Sequence, residues 1–271
     1  MDKDKIIKEL KDDEQYYGEY GQQFLSNSDV KVLRTDYKSF RSKKKFSDEQ
    51  MKNLELGRYF HQLLLEEDKA KSFPMIDVKT RASKEYKQYK EDNNVDFILR
   101  TSEAQEIKDL ADWVMNDNTL YGTSVVRDLI NNPMALKEQP SIMELHGHWW
   151  KGKADLITID NDGQYVIIDL KTTSSNPSEI TKWTLDNFGY NSQAYLYKEL
   201  YGMNFKFIFF GKKQKVNDAG EIYYDVEEIT PSEETLELGK MRVMEALANY
   251  ERWYAEGSTE NVRETYISRV I

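Results

Sequence analysis

Asp155, Asp169 and Lys171 are the residues whose types and spacing point most directly to chemistry. Asp169 and Lys171 lie two apart at the end of an apolar run, Val166-Ile167-Ile168, that reads as a buried β-strand. Alternate residues of a strand share a face, so the carboxylate and the ammonium stand side by side. Burying charge is costly, and a buried strand ending in two charges needs a reason for them. Asp155 follows Gly152-Lys153-Ala154 and opens a second apolar stretch, Leu156-Ile157-Thr158-Ile159. Asn161-Asp162-Gly163 signals a turn between the two stretches, and a hairpin folded there brings Asp155 close to Asp169. Carboxylates hold hard cations through oxygen. A lysine beside them can steer or deprotonate water, or neutralise phosphate charge. Together they are the equipment of a divalent-metal phosphodiesterase. The carbonyl of Leu170 is available as a third oxygen ligand, because the strand edge is exposed there.

The elements that must position these groups follow from periodicity. Three sequential strands are expected: one from about Ser141, with Ile142-Met143-Glu144-Leu145, one over Trp149 to Ile159, and one over Tyr165 to Lys171. His146-Gly147-His148 is the first turn. Asn176-Pro177-Ser178-Glu179 opens a helix to about Phe188, Gly189 breaks it, and a further helix covers 190–201. Phe205 to Phe210 and Ile222 to Val226 read as strands, and Pro231 precedes a long helix to about Ala255. Upstream lie helices from Ser26-Asn27-Ser28-Asp29 to Phe40, after Ser47, over 82–92, near 103–116 and near 119–131. The first 25 residues, charged and Tyr-rich, are expected to be partly ordered. The order implies one α/β domain over 1–271, with a helical elaboration (26–135) before a catalytic core and C-terminal helix (140–256).

Composition narrows the class. The chain has 271 residues, enough for one sizeable core. It has no cysteine, which excludes disulfides, Cys-ligated zinc and iron–sulfur clusters and fits a reducing cytoplasm. It has no run of about 18 apolar residues, so no membrane span is expected, and its start lacks a signal peptide's apolar region. The net charge of −10 argues against a broadly basic DNA-coating surface. Any DNA binding should therefore be localised and metal-dependent.

The pattern of Asp155 followed by Asp169-Leu170-Lys171 resembles the PD-(D/E)XK nuclease superfamily. Leu56-Gly57-Arg58-Tyr59-Phe60-His61 looks like the Gly-x-x-x-His helix of RecB-like and RecE-like phage exonucleases, and Ser26 to Asp29 resembles the entry before it. Glu144 falls where that family places a Glu on the first core strand. Tyr190, Gln193 and Tyr197 look like its Tyr-x-x-Gln-x-x-x-Tyr helix, and Thr172-Thr173 continues the match after Lys171. The resemblance covers about residues 26–255. It implies a restriction-endonuclease-like core, a mixed central sheet flanked by helices, with Mg²⁺ as cofactor and Mn²⁺ able to substitute. It implies digestion of one strand from double-stranded DNA ends, 5′ to 3′, in a bacterial or phage-infected cytoplasm. A single-strand annealing protein is then the functional partner, and ring-shaped homo-oligomers occur in the family.

In this reading Asp155, Asp169 and the Leu170 carbonyl hold metal, with His61 and Glu144 completing the site. Lys171 positions or deprotonates the attacking water, Gln193 hydrogen-bonds the scissile phosphate or fixes Lys171, and Tyr190, Tyr197, Thr172 and Thr173 touch DNA. Each residue has a plainer role to set against this. A lone His in an amphipathic helix is more often packed or exposed, and Glu144 could be an exposed strand residue. Gln193 and Tyr197, four apart on one helix face, could simply pack. Lys43-Lys44-Lys45 reads better as a solvated loop than as a phosphate edge. His146 and His148 lack a third zinc ligand and read as a turn. Trp149-Trp150 reads as core packing rather than a base-stacking wedge. The rival functions are a structure-specific or restriction-type endonuclease, a non-catalytic DNA-end binder, and a protein-binding module whose Asp-x-Lys is coincidence.

Overall fold

The structure is a computed structural model that describes residues 2–42, 46–116, 123–160, 162–256 and 258. In chain order the first elements are α1 (Lys3–Glu9), α2 (Asp13–Tyr17), α3 (Asn27–Thr35), α4 (Asp48–Leu65), α5 (Glu67–Lys71), β1 (Met75–Ile76), α6 (Lys84–Asn93), β2 (Leu99–Arg100), α7 (Thr101–Met115) and α8 (Thr123–Ile130). The core follows with β3 (Leu136–Leu145), β4 (His148–Ile159), β5 (Tyr165–Thr173), α9 (Lys182–Phe188), α10 (Tyr190–Tyr201), β6 (Asn204–Gly211), β7 (Lys215–Val216), β8 (Ile222–Tyr223), β9 (Val226–Ile229) and α11 (Glu233–Trp253).

The central sheet has five strands in the order β3-β4-β5-β6-β9. Within this sheet β5 and β6 pair in parallel, joined by the α9–α10 crossover, and the other neighbours are antiparallel. Period-two alternation feeds two cores. Val166, Ile168 and Leu170 of β5 and Ile208 and Phe210 of β6 face α4 and α7, through Phe60, Leu64, Ile107 and Leu110. Ile167 of β5 and Phe205, Phe207 and Phe209 of β6 face the other way, toward α3, α10 and α11, through Leu33, Leu196, Val243 and Leu247. The result is three layers, helices on both faces of a mixed sheet.

Local chemistry sets the helix ends. Ser47 and Gln50 form a reciprocal capping box at the start of α4, which fixes the helix that carries His61. Gly189, at φ +76°, sits in the left-handed region and turns the chain from α9 directly into α10.

Several boundaries differ from the sequence reading. β3 begins at Leu136, not Ser141, and runs through Pro140. Proline is tolerated there because β3 is an edge strand, with one side free of ladder bonds. The stretch Ile222–Val226 divides between β8 and β9, which serve different sheets. Helix α3 stops at Thr35, and Tyr37–Ser39 forms a 3₁₀ turn. Pro177–Glu179 likewise forms a 3₁₀ turn, separate from α9. The first 25 residues fold as α1, α2 and a 3₁₀ turn, with Ile6, Leu10, Tyr16 and Phe24 packed against Ile142 and Trp149. Lys43 to Lys45 and residues 119–122, the expected start of α8, lie outside the described residues. Among the described residues no helix is long and apolar enough to cross a membrane.

Candidate active site

The β4–β5 ladder runs from Ile159↔Tyr165 to Leu156↔Ile168. One more rung would place Asp155 opposite Asp169, and like charges directly opposed on neighbouring strands are destabilising. The strands part at that rung. The backbone N–H of Leu170 donates instead to the Asp155 carboxylate at 2.8 Å. β4 also turns over here: Ala154 packs in one core and Leu156 in the other, although alternate residues of a regular strand share a face. Across the β3–β4 ladder, the pairs Lys137↔Leu156 and Gln139↔Ala154 leave Glu138 at the register position of Asp155, with its backbone at φ +48°. A non-glycine residue in the left-handed region marks a locally distorted strand.

The gap so opened gathers side chains from both faces of the sheet. From α4, His61 brings Nε2 to 2.7 Å from the Leu170 carbonyl oxygen and Nδ1 to 3.4 Å from Asp155 Oδ2. His61, Glu138 and Asp155 each hold a ligand atom within 4.8 Å of the others. From α10, on the opposite face, Gln193 donates its amide to Asp169 Oδ1. Lys171 lies in ion-pair contact with Asp169 Oδ2, and its ammonium is 5.3 Å from the centre of the Tyr190 ring.

The electrostatics are those of a site short of positive charge. Asp169 is 1% exposed, and burial lifts its carboxyl to about 6 despite Lys171 beside it. Burial, then the like charges of Asp155 and Glu66, push Glu138 up to about 8. Burial opposes the charge on Lys171, but Asp169 and Asp155 overcome it and hold the ammonium above its ordinary range. Lys171 is therefore charged here, suited to orienting water and phosphate rather than accepting a proton. Asp169 Oδ2 is buried and has no hydrogen bond of good geometry, so it keeps acceptor capacity. Carboxylates whose pKa burial raises, a backbone carbonyl and an imidazole fit a divalent cation.

Asp155, Asp169, Leu170, Lys171, His61 and Gln193 thus meet at one place, as the sequence reading requires. Gln193 binds Asp169 itself, not Lys171. Tyr190 lines the site, stacked at 5.6 Å against Phe188. Thr172 and Thr173 continue the strand beyond Lys171, half-buried, with Thr173 Oγ1 accepting from the Ser175 N–H at 3.1 Å.

Two expectations are corrected. Glu144 is exposed and pairs with Trp149, six residues along β3 from Glu138, or about 20 Å at strand rise. It is too remote to join the His61–Glu138–Asp155 cluster. Tyr197 is buried, and its hydroxyl donates to the Lys153 carbonyl at 2.9 Å and accepts from the Lys153 N–H at 3.3 Å. It fixes β4, and its hydroxyl is taken up by that backbone. The acid that the sequence reading missed is Glu138. Counting back along the hairpin from the His146–Gly147 turn puts 138 opposite 155, so the signal was present, but a strand started at Ser141 left 138 in a loop. His146 and His148 turn to different partners, Tyr195 at 2.9 Å and Glu251 at 3.1 Å. Trp150 is fully buried, with its indole N–H on the Leu145 carbonyl.

A family model for the PD-(D/E)XK nuclease superfamily matches residues 31–268. The fold is shared with a crystal structure of a "Putative exonuclease" from Eubacterium rectale, at TM-score 0.53 and 14% identity, covering 96% of this chain and 95% of that one. A second structure, SSO0001, aligns over 72% of this chain and 84% of its own at 15% identity, with a TM-score of only 0.30. No curated protein matches the chain. The parted strands carrying Asp155 and Asp169-Leu170-Lys171, and a family match over nearly the whole chain, lead to one conclusion: this chain belongs to the PD-(D/E)XK nuclease superfamily.

Proposed function

We propose that the chain is a Mg²⁺-dependent exodeoxyribonuclease that resects double-stranded DNA ends, 5′ to 3′, with Mn²⁺ able to substitute. The observation that carries the reading is the convergence of Asp155, Asp169, Lys171, Gln193 and His61 on one break in the sheet. Asp155, the Leu170 carbonyl, His61, Asp169 and Glu138 would hold the ion. When bound, Mg²⁺ supplies Lewis-acid stabilisation to phosphoryl oxygens and lowers the pKa of an attacking water.

The chain's own residues do the rest. Lys171 stays protonated and donates hydrogen bonds to the water or to a phosphate oxygen. Gln193 holds Asp169 in one rotamer, so the Asp169–Lys171 pair keeps its aim. The Leu170 N–H on Asp155 does the same for the other carboxylate. At a net charge of −10, DNA is held locally at this site and not by a broad basic surface.

The exonuclease reading draws on the resemblance of the Gly57-to-His61 and Tyr190-to-Tyr197 helices to RecE-like enzymes, and on a structural neighbour described as an exonuclease. A phage-type recombination role, with an annealing protein as partner, follows from the same resemblance. The test is degradation of linear and closed-circular duplex DNA with Mg²⁺ or Mn²⁺, wild type beside Asp169→Ala. Loss of the linear form alone, abolished by the substitution, is expected. Cutting of the circle would replace this with an endonuclease. No cleavage of either form would sink the catalytic reading.

A further inference from the structure

The N-terminal segment occupies the edge of β4 that β5 abandons. The Leu25 N–H donates to the Trp149 carbonyl at 2.9 Å, and the Lys151 N–H donates to the Leu25 carbonyl at 2.8 Å. The Lys151 ammonium then reaches back to the Tyr16 carbonyl. Only glycine fits at position 21, where a Cβ would lie 2.0 Å from that same carbonyl oxygen and 2.6 Å from the Lys151 ammonium. The strap is therefore seated closely against the strand that carries Asp155.

Helix α2 is secured at both sides of the site. The Asp13 carboxylate pairs with Lys153, two residues before Asp155, and with Lys69 at 2.6 Å. Lys69 also pairs at 2.6 Å with Glu66, the residue that ends the His61 helix. One acid thus ties α2 to β4, which carries Asp155, and to the end of the helix that carries His61. Tyr16 points inward, with the Lys151 and Lys153 ammonium groups 4.2 and 4.5 Å from its ring centre. Tyr17 points outward and is 68% exposed, its ring set edge-on to Tyr16 at 4.9 Å and 5.4 Å from the Lys153 ammonium. Protein around its phenol, then the charges of Glu138, Asp13 and Asp155, push the Tyr17 hydroxyl up to about 12. The ring therefore stands over the Lys153 side chain, two residues along β4 from Asp155, and remains open to solvent.

A single exposed aromatic is ordinary on a protein surface. One held against the strand that carries Asp155 is different, because every nucleobase has a π-face that stacks on it. An acidic chain gains little from backbone electrostatics, and stacking supplies grip that salt does not screen. We propose that Tyr17 is a base-stacking platform that holds a nucleotide of the DNA strand at the cleavage site. The proposal rests on the nuclease reading, and it adds a substrate-positioning residue from a segment outside the catalytic core.

Two readouts test it on the full chain: steady-state cleavage of linear duplex, and Ca²⁺-supported binding of a duplex end carrying 2-aminopurine at the cleavage position. Tyr17→Ala should raise KM by about 5- to 150-fold, with kcat and the salt slope little changed. It should also relieve the 2-aminopurine quenching seen with wild type. Tyr17→Phe and Tyr17→Trp should both behave as wild type, and on a strand with an abasic site at that position the Ala effect should vanish. An equal Ala effect on the abasic strand would make Tyr17 a structural strap residue and overturn the proposal. So would a Phe variant as impaired as Ala, or wild-type cleavage or binding with no Tyr17 effect. If wild type binds and quenches through Tyr17 but cuts nothing, the nuclease reading fails and the stacking platform stands. If it neither binds nor cuts, both fail.

Discussion

Two buried acidic clusters in this molecule are built on opposite principles. Glu103, on α7, is 4% exposed and surrounded by cations: Arg81 at 2.6 Å, Arg100 at 2.9 Å and Lys52 at 3.9 Å. Burial alone would raise its pKa, but hydrogen bonds from Arg100 and Arg81 win and hold the carboxyl below the usual range. At the β4–β5 break, Lys171 pairs with Asp169 and the nearby Lys153 is already paired with Asp13, and burial leaves Asp169 at about 6 and Glu138 at about 8. The first cluster is balanced by the chain itself and serves structure, pinning α7 to the 79–81 loop. The second is left short of positive charge, which a bound cation would supply. Charge balance, more than burial, separates a structural acid from one kept for a ligand.

The comparison can be broken in four places. The largest effect is expected at the unbalanced cluster: Asp169→Asn should lower cleavage by about 10³-fold or more while leaving the metal-free protein folded, measured by initial rates beside thermal unfolding. An inactive variant that is also unfolded would mean that Asp169 is structural, like Glu103. At the balanced cluster the cost should fall on stability. Glu103→Gln should lose about 2–3 kcal/mol in denaturant unfolding, below the cost for a fully buried pair because its arginines are partly exposed. Loss of less than about 0.5 kcal/mol would erase the distinction.

The pH dependence sharpens it further. Glu138 binds its proton more tightly when folded than unfolded. Between about 4.5 and about 8 the native state therefore holds more protons, and metal-free stability should fall as pH rises. Glu103 acts with the opposite sign: its depressed pKa contributes stability above the ordinary carboxylate value that is lost on further acidification. Glu138→Gln should flatten the Tm profile between pH 5 and 8 and weaken Mg²⁺ binding by about 10- to 100-fold in calorimetry. An unchanged profile would remove Glu138 from the cluster. The smallest effect is expected at Glu144→Ala, within about 0.5 kcal/mol and without change in rate, because that side chain is exposed and remote from the break. A marked loss of cleavage there would restore Glu144 to the site.

Local patterns carried much of this molecule. The 190–201 helix, bounded by two glycines with positive φ, is found where periodicity places it. The apolar strand over 205–210 extends by only one residue at each end. Asp169 and Lys171 needed nothing beyond strand alternation. Glu138 and Glu144 show where local reasoning stops. Both are acids on one strand, separated by an even number of residues, and only the hairpin register tells them apart. Pro140 misled because proline usually argues against a strand, whereas the position of β3 at the sheet edge removes the objection. Tyr197 misled for a related reason: the spacing from Gln193 gives its helix face, but not whether that face meets solvent or the backbone of β4.

The sequence by itself determined the strands over 149–159, 165–171 and 205–210, the Asp155–Asp169–Lys171 constellation and the helices that bear His61 and Gln193, because these depend on periodicity, turn chemistry and spacing within short stretches. Tertiary structure decided what stands beside them. His61 and Gln193 approach from opposite faces of the sheet, and they meet the same carboxylate cluster only because β4 and β5 part at the rung where two aspartates would have been opposed. The fold also brought Glu138 to Asp155 and laid the N-terminal strap along the vacated edge. Each of these contacts joins residues far apart in the chain, and no local preference specifies which distant partner arrives.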